Sequence, residues 1–472
     1  MPANVPSVEY VEYRIVVIHP TSGAILVVDH GDTGTRLPRV RVPKYTRVTR
    51  CLHQAILAAW NLRGVVLDYL QFENSCCPCA VLELLSVETP NALRAVDLQH
   101  VIDLSEREVA SLLALLCEKS ASSVLRVGWI YEAVNWVEQM TGDRIRSISE
   151  LMQLNAGANF ALIRFAMLSG RSYWLKATAH PNSHEQAITS YLSELCPGCV
   201  PDVLAVHPSW NAWIVPDECA NDWGSISDPE RRLEFLSRAV DAIAVIQRRS
   251  VGHEMDLFCA GAFDQRLEAL LADSTLLFEK VGEAMSLQTS TKVPRIEGAQ
   301  LHERRDTFDS VCEYLRALSV PNTVLHGDMN PGNVLWGDET CQFIDWSEAY
   351  VGHPLVTLQH LLLLNCPNDG QLKSKWDRIL IERYRAAMAE TIDSYAFERA
   401  IVCMPMIAAA SALYGRGAWL RLPLAETLYR QSRIRTLARY MDRASRDLEL
   451  QSLIRPRRVS IRHDAQVTIC GY

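Results

Sequence analysis

The feature that most constrains this chain is a block of short apolar runs and oxygen-bearing side chains set between two long helical stretches. Thr323 to Leu325 reads as a short strand, His326 to Gly332 as a tight loop and Val334 to Trp336 as a second strand. Cys341 to Trp346 reads as the hairpin partner of that strand, with Gly337-Asp338-Glu339-Thr340 making the turn. Such a hairpin puts Asp328 and Asn333 on one loop and Asp345 at the end of the opposing strand, free to point at a common centre. Two carboxylates and an amide suit magnesium. Phosphoryl transfer needs a metal held by a carboxylate and a neutral oxygen, with a second carboxylate to orient the attacking hydroxyl. The block therefore predicts a phosphoryl-transfer centre.

The rest of the chain bounds where such a centre can sit. At 472 residues it exceeds one ordinary core, so two or three domains are expected. With 49% hydrophobic and 22% charged residues it reads as a soluble, well-packed protein. A net charge of -8 argues against nucleic acid as a partner. The start Met1-Pro2-Ala3-Asn4 lacks the basic and apolar pattern of a signal peptide, so a cytoplasmic protein is expected. The most continuous apolar stretches noted, Leu112 to Leu116 and Leu361 to Leu364, are far below the ~20 residues of a membrane span, so no membrane partner is expected.

Fourteen cysteines scattered in such a chain predict reduced thiols more than a disulfide framework. Two CxxC pairs, Cys76-Cys77-Pro78-Cys79 and Cys196-Pro197-Gly198-Cys199, are spaced like zinc knuckles or redox motifs. They lie more than a hundred residues apart with no histidine at finger spacing, which favours two loops with idle thiols.

Glu9 to Ile18 alternates and is β-branched, Ser22-Gly23 turns, and Ala24 to Val28 resumes as a strand. Arg47 to Leu62 has helical character, with Cys51, Ile56, Leu57 and Trp60 on one face and Gly64 as its stop; strands follow at Val65 to Phe72 and Ala80 to Leu85. This succession resembles the Nudix fold over about the first hundred residues. If Gly64 closes a Nudix box, the positions for one Arg and three Glu hold Leu57, Ala58, Asn61 and Leu62, so the catalytic carboxylates are absent. The domain is then a scaffold, a surface for homodimerisation or a binding module. Asp103 to Lys119 is a second helical segment with Ser105 and Glu108 spaced as a capping box, and Trp129 to Met140 a third. Beyond them Phe160 to Met167 and Tyr173 to Ala177 read as paired strands. Residues 228–318 and 352–449 read as helical.

The run His-Gly-Asp, four residues, Asn, then Asp-Trp twelve positions on, from His326 to Trp346, resembles the aminoglycoside phosphotransferase family of kinase-like enzymes over roughly residues 150 to 440. The resemblance implies Asp328 as catalytic base, Asn333 and Asp345 as magnesium ligands, and His326 with Gly327 supporting the loop. It also asks for a strand lysine held by a helix glutamate against the nucleotide phosphates. Lys176, at the end of Tyr173-Trp174-Leu175, is the candidate, since no other lysine occurs between Lys119 and Lys280. Glu185 lies three and seven residues before Ile188 and Leu192, on the buried face of its helix, and is preferred as partner over Glu194. Backbone near Asp217, Glu218 and Cys219 falls where the adenine edge would bind. Asn155 to Asn159 offers a single glycine and no phosphate loop. Where many relatives read Gly-x-Pro-x-x-Asp, this chain has Thr357, which can cap a helix but carries no charge.

The expectation is an α+β chain: a bilobal protein-kinase-like fold, with a small β-rich N-lobe and a large helical C-lobe, behind a small Nudix-like α/β domain. Its boundaries are 1–122 for the Nudix-like domain, 123–150 for a linker helix, 151–220 for the N-lobe, 221–450 for the C-lobe and 451–472 for a tail. Its function would be phosphoryl transfer from ATP or GTP, with Mg2+, to a hydroxyl of a small molecule. Asp217, Glu218, Asp222 and Glu348 could surround a cationic sugar. A non-catalytic nucleotide-binding pseudokinase and a protein or peptide kinase are the alternatives.

Overall fold

The computed structural model describes residues 9–450 apart from 30–34, 45, 71–76, 86–92, 102, 117–123, 125, 158–159, 219–222, 338–339 and 425–427. Cys76, Cys219, Asp222, the hairpin turn at 338–339 and the tail 451–472 thus lie outside the described residues. Two compact units emerge, Met1–Asp222 with Leu335–Ser347, and Trp223–Val334 with Glu348–Tyr472. The chain is mixed α+β, β-rich toward its N-terminus and helical toward its C-terminus.

In the first strand, β1 (Tyr10–Ile18), Ile15 and Val17 face one side, Val16 and Ile18 the other, and all four are buried. A strand apolar on both faces must be covered on both. After β1 come β2 (Ile25–Asp29), β3 (Thr35–Arg36), β4 (Arg39–Pro43), helix α1 (Val48–Trp60), β5 (Gly64–Leu70), β6 (Cys79–Leu84), β7 (Arg94–Val96), α2 (Glu106–Leu116) and α3 (Trp129–Thr141). The strands form one seven-stranded sheet in the order β3-β2-β1-β6-β5, with β4 on β1 and β7 on β2. The β1–β6 pairing is parallel and its neighbours antiparallel. Leu52 and Ile56 of α1 cover the Ile15 face, while Leu112 of α2 and Trp129, Ile130 and Val137 of α3 cover the other.

Two local details differ from the sequence reading. Asn61, not Gly64, ends α1: it is left-handed at φ +52° and its N–H returns to the Leu57 carbonyl at 2.9 Å. Gly64 instead opens β5, where a Cβ would lie 2.4 Å from Leu82 Cδ2 and 2.6 Å from the Glu83 carbonyl, so strand approach requires glycine there. The capping box does form. Ser105 N–H donates to Glu108 Oε2 at 2.7 Å, Glu108 N–H donates to Ser105 Oγ at 3.3 Å, and Glu108 also pairs with buried Arg14.

A second sheet continues the same unit through β8 (Met152–Asn155), β9 (Phe160–Ala166), β10 (Ser172–Thr178), helix α4 (Glu185–Leu195), β11 (Ala205–His207) and β12 (Ala212–Pro216). Its order is β11-β12-β10-β9-β8, antiparallel throughout. Alternate residues Ala161, Ile163, Phe165, Leu175 and Ala177 join Trp129, Ile130 and Val137 in one core. The helix expected as a linker is therefore a packed layer shared by both sheets.

The second unit holds α5 (Pro229–Ser250), α6 (Glu254–Ala260), β13 (Phe263–Gln265), α7 (Leu267–Ala272), α8 (Ser274–Ser286), α9 (Gly298–Ala317) and β14 (Thr323–Leu325). The chain then returns to the first unit in the hairpin β15 (Val334–Trp336) and β16 (Cys341–Phe343), before the second unit resumes with β17 (Tyr350–Gly352), α10 (Leu355–Leu364), α11 (Gly370–Ala387), α12 (Ser394–Tyr414) and α13 (Leu428–Leu450). β17 is sandwiched between β13, parallel, and β14, antiparallel. The longest apolar element is neither stretch noted in the sequence. It is α12, 21 residues with mean hydropathy 1.5 in its central window, of which 67% is buried inside the protein. It packs on α10 and α13 as a core helix that also passes a membrane-length test.

Candidate active site

The sequence-predicted residues fall into two clusters, one in each unit. The first is built by β10, α4 and the turn after β16. The β10 register sets Lys176 opposite Leu162 and Trp213, and its ammonium lies 5.1 Å from the Phe160 ring centroid and 5.7 Å from that of Trp213. Of the two candidate glutamates, Glu185 meets it: its Oε1 accepts from Lys176 Nζ and the residue is 1% exposed, whereas Glu194 is exposed. Lys176 Nζ also donates to Asp345 Oδ1 at 3.2 Å. Burial pushes the Glu185 carboxyl up to about 7, Lys176 pulling it down and the Asp345 carboxylate adding to the rise.

Asp345 stands in the left-handed region at φ +66°. Its neighbours hold it there. Trp346 is fully buried with its indole N–H on the Phe343 carbonyl at 3.1 Å, Ser347 Oγ donates to Asp345 Oδ1 at 3.1 Å, and His184 Nε2 meets the Ser347 carbonyl at 2.8 Å. The Asp-Trp pair thus has a mechanical sense, with the tryptophan anchoring the turn that aims the aspartate.

The second cluster is the loop after β14. His326 is fully buried at its root. Gly327 follows at φ +79°, and a Cβ there would lie 1.9 Å from the Glu348 carbonyl oxygen, so this position accepts no side chain. Beyond it, exposed Asp328 is braced by amides: Asn333 Nδ2 donates to its Oδ2 at 3.0 Å and to its carbonyl at 3.2 Å, and the Asn330 N–H donates to its Oδ1 at 3.3 Å. Asn365 Nδ2 reaches the Met329 carbonyl at 3.2 Å and ties the loop to α10. With its Nδ2 engaged, Asn333 keeps Oδ1 to offer a cation. An amide oxygen is a hard donor of the kind Mg2+ takes, as is the Asp345 carboxylate in the first cluster. Among the described residues there is no group of three or more His, Cys, Asp or Glu that could hold a metal ion.

Asp328 opens onto a cavity of about 330 Å³ in the same unit. Sequence reasoning missed its walls: Trp223, Arg232, Leu364, Asn365 and Trp376. The Arg232 guanidinium sits 5.1 Å from the Trp223 ring centroid. Only a lone tryptophan before the α5 helix and one on the buried stripe of α11 could have flagged it, and neither spacing is diagnostic.

Other expectations need correction. Thr357 does not cap α10: the helix starts at Leu355, Thr357 is buried within its first turn, and the Leu355 N–H is met by His353 Nδ1 at 3.3 Å. Asp217 is already engaged, its N–H on the Ser172 carbonyl at 2.9 Å and its carboxylate accepting from Arg164 at 2.5 Å and Trp174 at 2.7 Å. Its N–H and side chain are thus already occupied, and Cys219 lies outside the described residues. Glu348 is held by Arg416 at 2.7 Å and by the Tyr350 hydroxyl at 2.8 Å, and it does not line the Asp328 cavity. In the CxxC pairs, burial pushes Cys79 up to about 12 and raises Cys77, disfavouring the thiolate a metal would need.

Residues 224–397 match the family described as "Phosphotransferase enzyme family". The matched segment contains Asp328, Asn333 and Asp345 and stops short of Lys176 and Glu185. The match supports an enzyme that is a small-molecule kinase. No curated protein sequence matches the chain. Among solved structures, a choline/ethanolamine kinase family protein from Mesorhizobium loti aligns at 16% identity over 64% of this chain and 93% of its own, with a TM-score of 0.41. A macrolide 2'-phosphotransferase from Brachybacterium faecium aligns at 14% identity over 63% and 99%, TM-score 0.40. A Plasmodium vivax ethanolamine kinase aligns at 12% over 75% and 97%, TM-score 0.42. At such identities and scores none of them assigns a substrate.

Proposed function

We propose that the chain is a kinase-like phosphotransferase that moves the terminal phosphoryl group of ATP or GTP to a hydroxyl of a small molecule. The observation that carries this reading is Asp328, an exposed carboxylate pinned by two neutral amide donors at the mouth of a cavity. Both of its braces donate to it and neither removes its charge, so a lone pair stays available to an incoming hydroxyl. Asp328 would orient that hydroxyl and accept its proton as the oxygen attacks in line. Lys176, steadied by Glu185, would take the inner phosphates, and Asn333 with Asp345 would hold Mg2+. Bound there, Mg2+ supplies charge neutralisation at the nucleotide phosphates.

The cavity narrows the acceptor. Among the described residues Asp328 is the only acidic one in its lining, beside two tryptophans and an arginine. This composition supports a neutral or anionic acceptor with a flat apolar face over a polycationic aminoglycoside. The N-terminal layer is read as a Nudix-like scaffold, supported by its mixed sheet with α1 on one face and by the missing carboxylates.

The test is nucleotide consumption by the purified chain with Mg2+, ATP or GTP and a panel of hydroxylated metabolites and antibiotics, repeated with Asp328→Asn. Acceptor-dependent turnover lost in the variant is the expected result. Nucleotide binding without turnover on any acceptor would favour a pseudokinase, and a phosphorylated polypeptide in the mass spectrum would favour a protein kinase.

A further inference from the structure

A second hollow, of about 270 Å³, lies wholly within the first unit, between α1 and β8. Its floor is apolar, with Leu57, Leu62 and Leu151, and its rim carries Arg50 and Arg63. Among the described residues no acidic side chain lines it. That is unusual in a chain of net charge -8 whose arginines elsewhere sit on carboxylates, as Arg39 does on Glu12, Arg164 on Asp217 and Arg383 on Asp241. Arg63 has only the Ser149 carbonyl, at 2.8 Å, and Arg50 has no partner among the described residues. Two unneutralised guanidiniums beside one cavity set a local positive field with planar donors suited to phosphate or carboxylate.

The third polar group is His53, and its tautomer can be read from its neighbours. Gln153 is 3% exposed and its amide is fixed at both ends by Val66, Nε2 donating to the Val66 carbonyl and Oε1 accepting the Val66 N–H, each at 2.8 Å. Gln153 Oε1 therefore accepts from His53 Nε2, 3.1 Å away, so Nε2 carries a proton. Nδ1, which has no protein partner among the described residues, is left to the cavity's contents. Leu62 of this floor stands where a Nudix box would place a carboxylate and Leu57 where it would place the arginine, so the surface is apolar and cationic where a metal site would be acidic.

We infer that this hollow binds a small molecule carrying a phosphate or carboxylate on an apolar ring, the anion on Arg50 and Arg63 and the ring on the leucine floor. The site is independent of the Asp328 cavity, and its test does not rest on phosphoryl transfer. Isothermal titration of the full chain, with its nucleotide site saturated by ADP, would use phenyl phosphate, benzoate, inorganic phosphate and benzyl alcohol, against wild type and Arg50→Gln/Arg63→Gln. Both arginines are exposed, so the double variant is expected to melt as wild type does and to bind ADP equally. One equivalent of phenyl phosphate or benzoate should bind wild type at least about tenfold more tightly than the variant. The better of the two identifies the anion. The inference is overturned if neither binds at millimolar concentration, if the variant binds them as well as wild type, if benzyl alcohol binds as tightly as the anions, or if inorganic phosphate alone matches phenyl phosphate.

Discussion

Glu185 and Asp328 are both carboxylates held by nitrogen donors, and the protein treats them in opposite ways. Glu185 is 1% exposed and faces an ammonium, so its charge is committed to placing Lys176. Asp328 is exposed and, among the described residues, hydrogen-bonded only by neutral amides, which fix its direction. Burial with a cation makes a positioning device; exposure with amides makes a group ready to take a proton. The contrast separates the region that would grip a nucleotide from the region that would activate an acceptor.

The largest expected effect breaks the activating side. Asp328→Asn keeps the Asx geometry but loses the proton acceptor, and turnover should fall about 10³-fold with nucleotide affinity nearly unchanged. Initial rates and a nucleotide titration check both halves. Gly327→Ala forces a Cβ against the Glu348 carbonyl at positive φ, and should cost about 3–4 kcal/mol in a denaturant melt along with most of the activity. A variant as stable as wild type would mean that the loop is not built around this glycine.

The two regions should also answer pH with opposite signs. His353, beside β17, is buried and its imidazole is pushed down to about 4. The unfolded chain then binds the extra proton between about 6.5 and 4, so stability falls as pH drops through that window, by about 3 kcal/mol in all. Glu185 is raised, so there the folded state holds the extra proton, and its contribution is fullest below about 4.5 and is lost as pH rises to about 7. Melts of His353→Gln and Glu185→Gln across pH should each remove one slope and leave the other. On the gripping side, Lys176→Met should lower kcat/KM about 10²-fold by weakening nucleotide contacts. Its stability loss should grow from pH 6 to pH 8.5, because Glu185 can stay protonated only at the lower pH. A loss that shrinks with pH would contradict the pairing.

Much of this was legible from residues because the signals are local. Alternation gave β1, β9 and β10 to within a residue or two, the Ser105–Glu108 spacing gave a capping box that forms, and the buried stripe of α4 singled out Glu185 from Glu194. What stayed hidden depends on distant partners. β13 and β17 are three residues each and exist only because they pair across some ninety positions, a relation that no window of sequence contains. Gly64 was misread as a helix stop because its requirement comes from Leu82 and Glu83 on the next strand. The walls of the Asp328 cavity come from the segment before α5, from the end of α10 and from α11, so Trp223 and Trp376 carried no joint signal. The α12 run was overlooked because Glu398 and Arg399 interrupt its start and Pro405 its middle.

The left-handed backbone at Asp345 limits how this residue can be replaced in any experiment. Asparagine and glycine tolerate that conformation; alanine does not readily. An alanine variant would therefore change two things at once, the ligand oxygen and the course of the chain into the Trp346 anchor, and its inactivity would say little about magnesium. Asparagine keeps the turn and one oxygen while removing the charge. Glycine keeps the turn and removes both, so the pair of variants reads ligand chemistry apart from backbone shape.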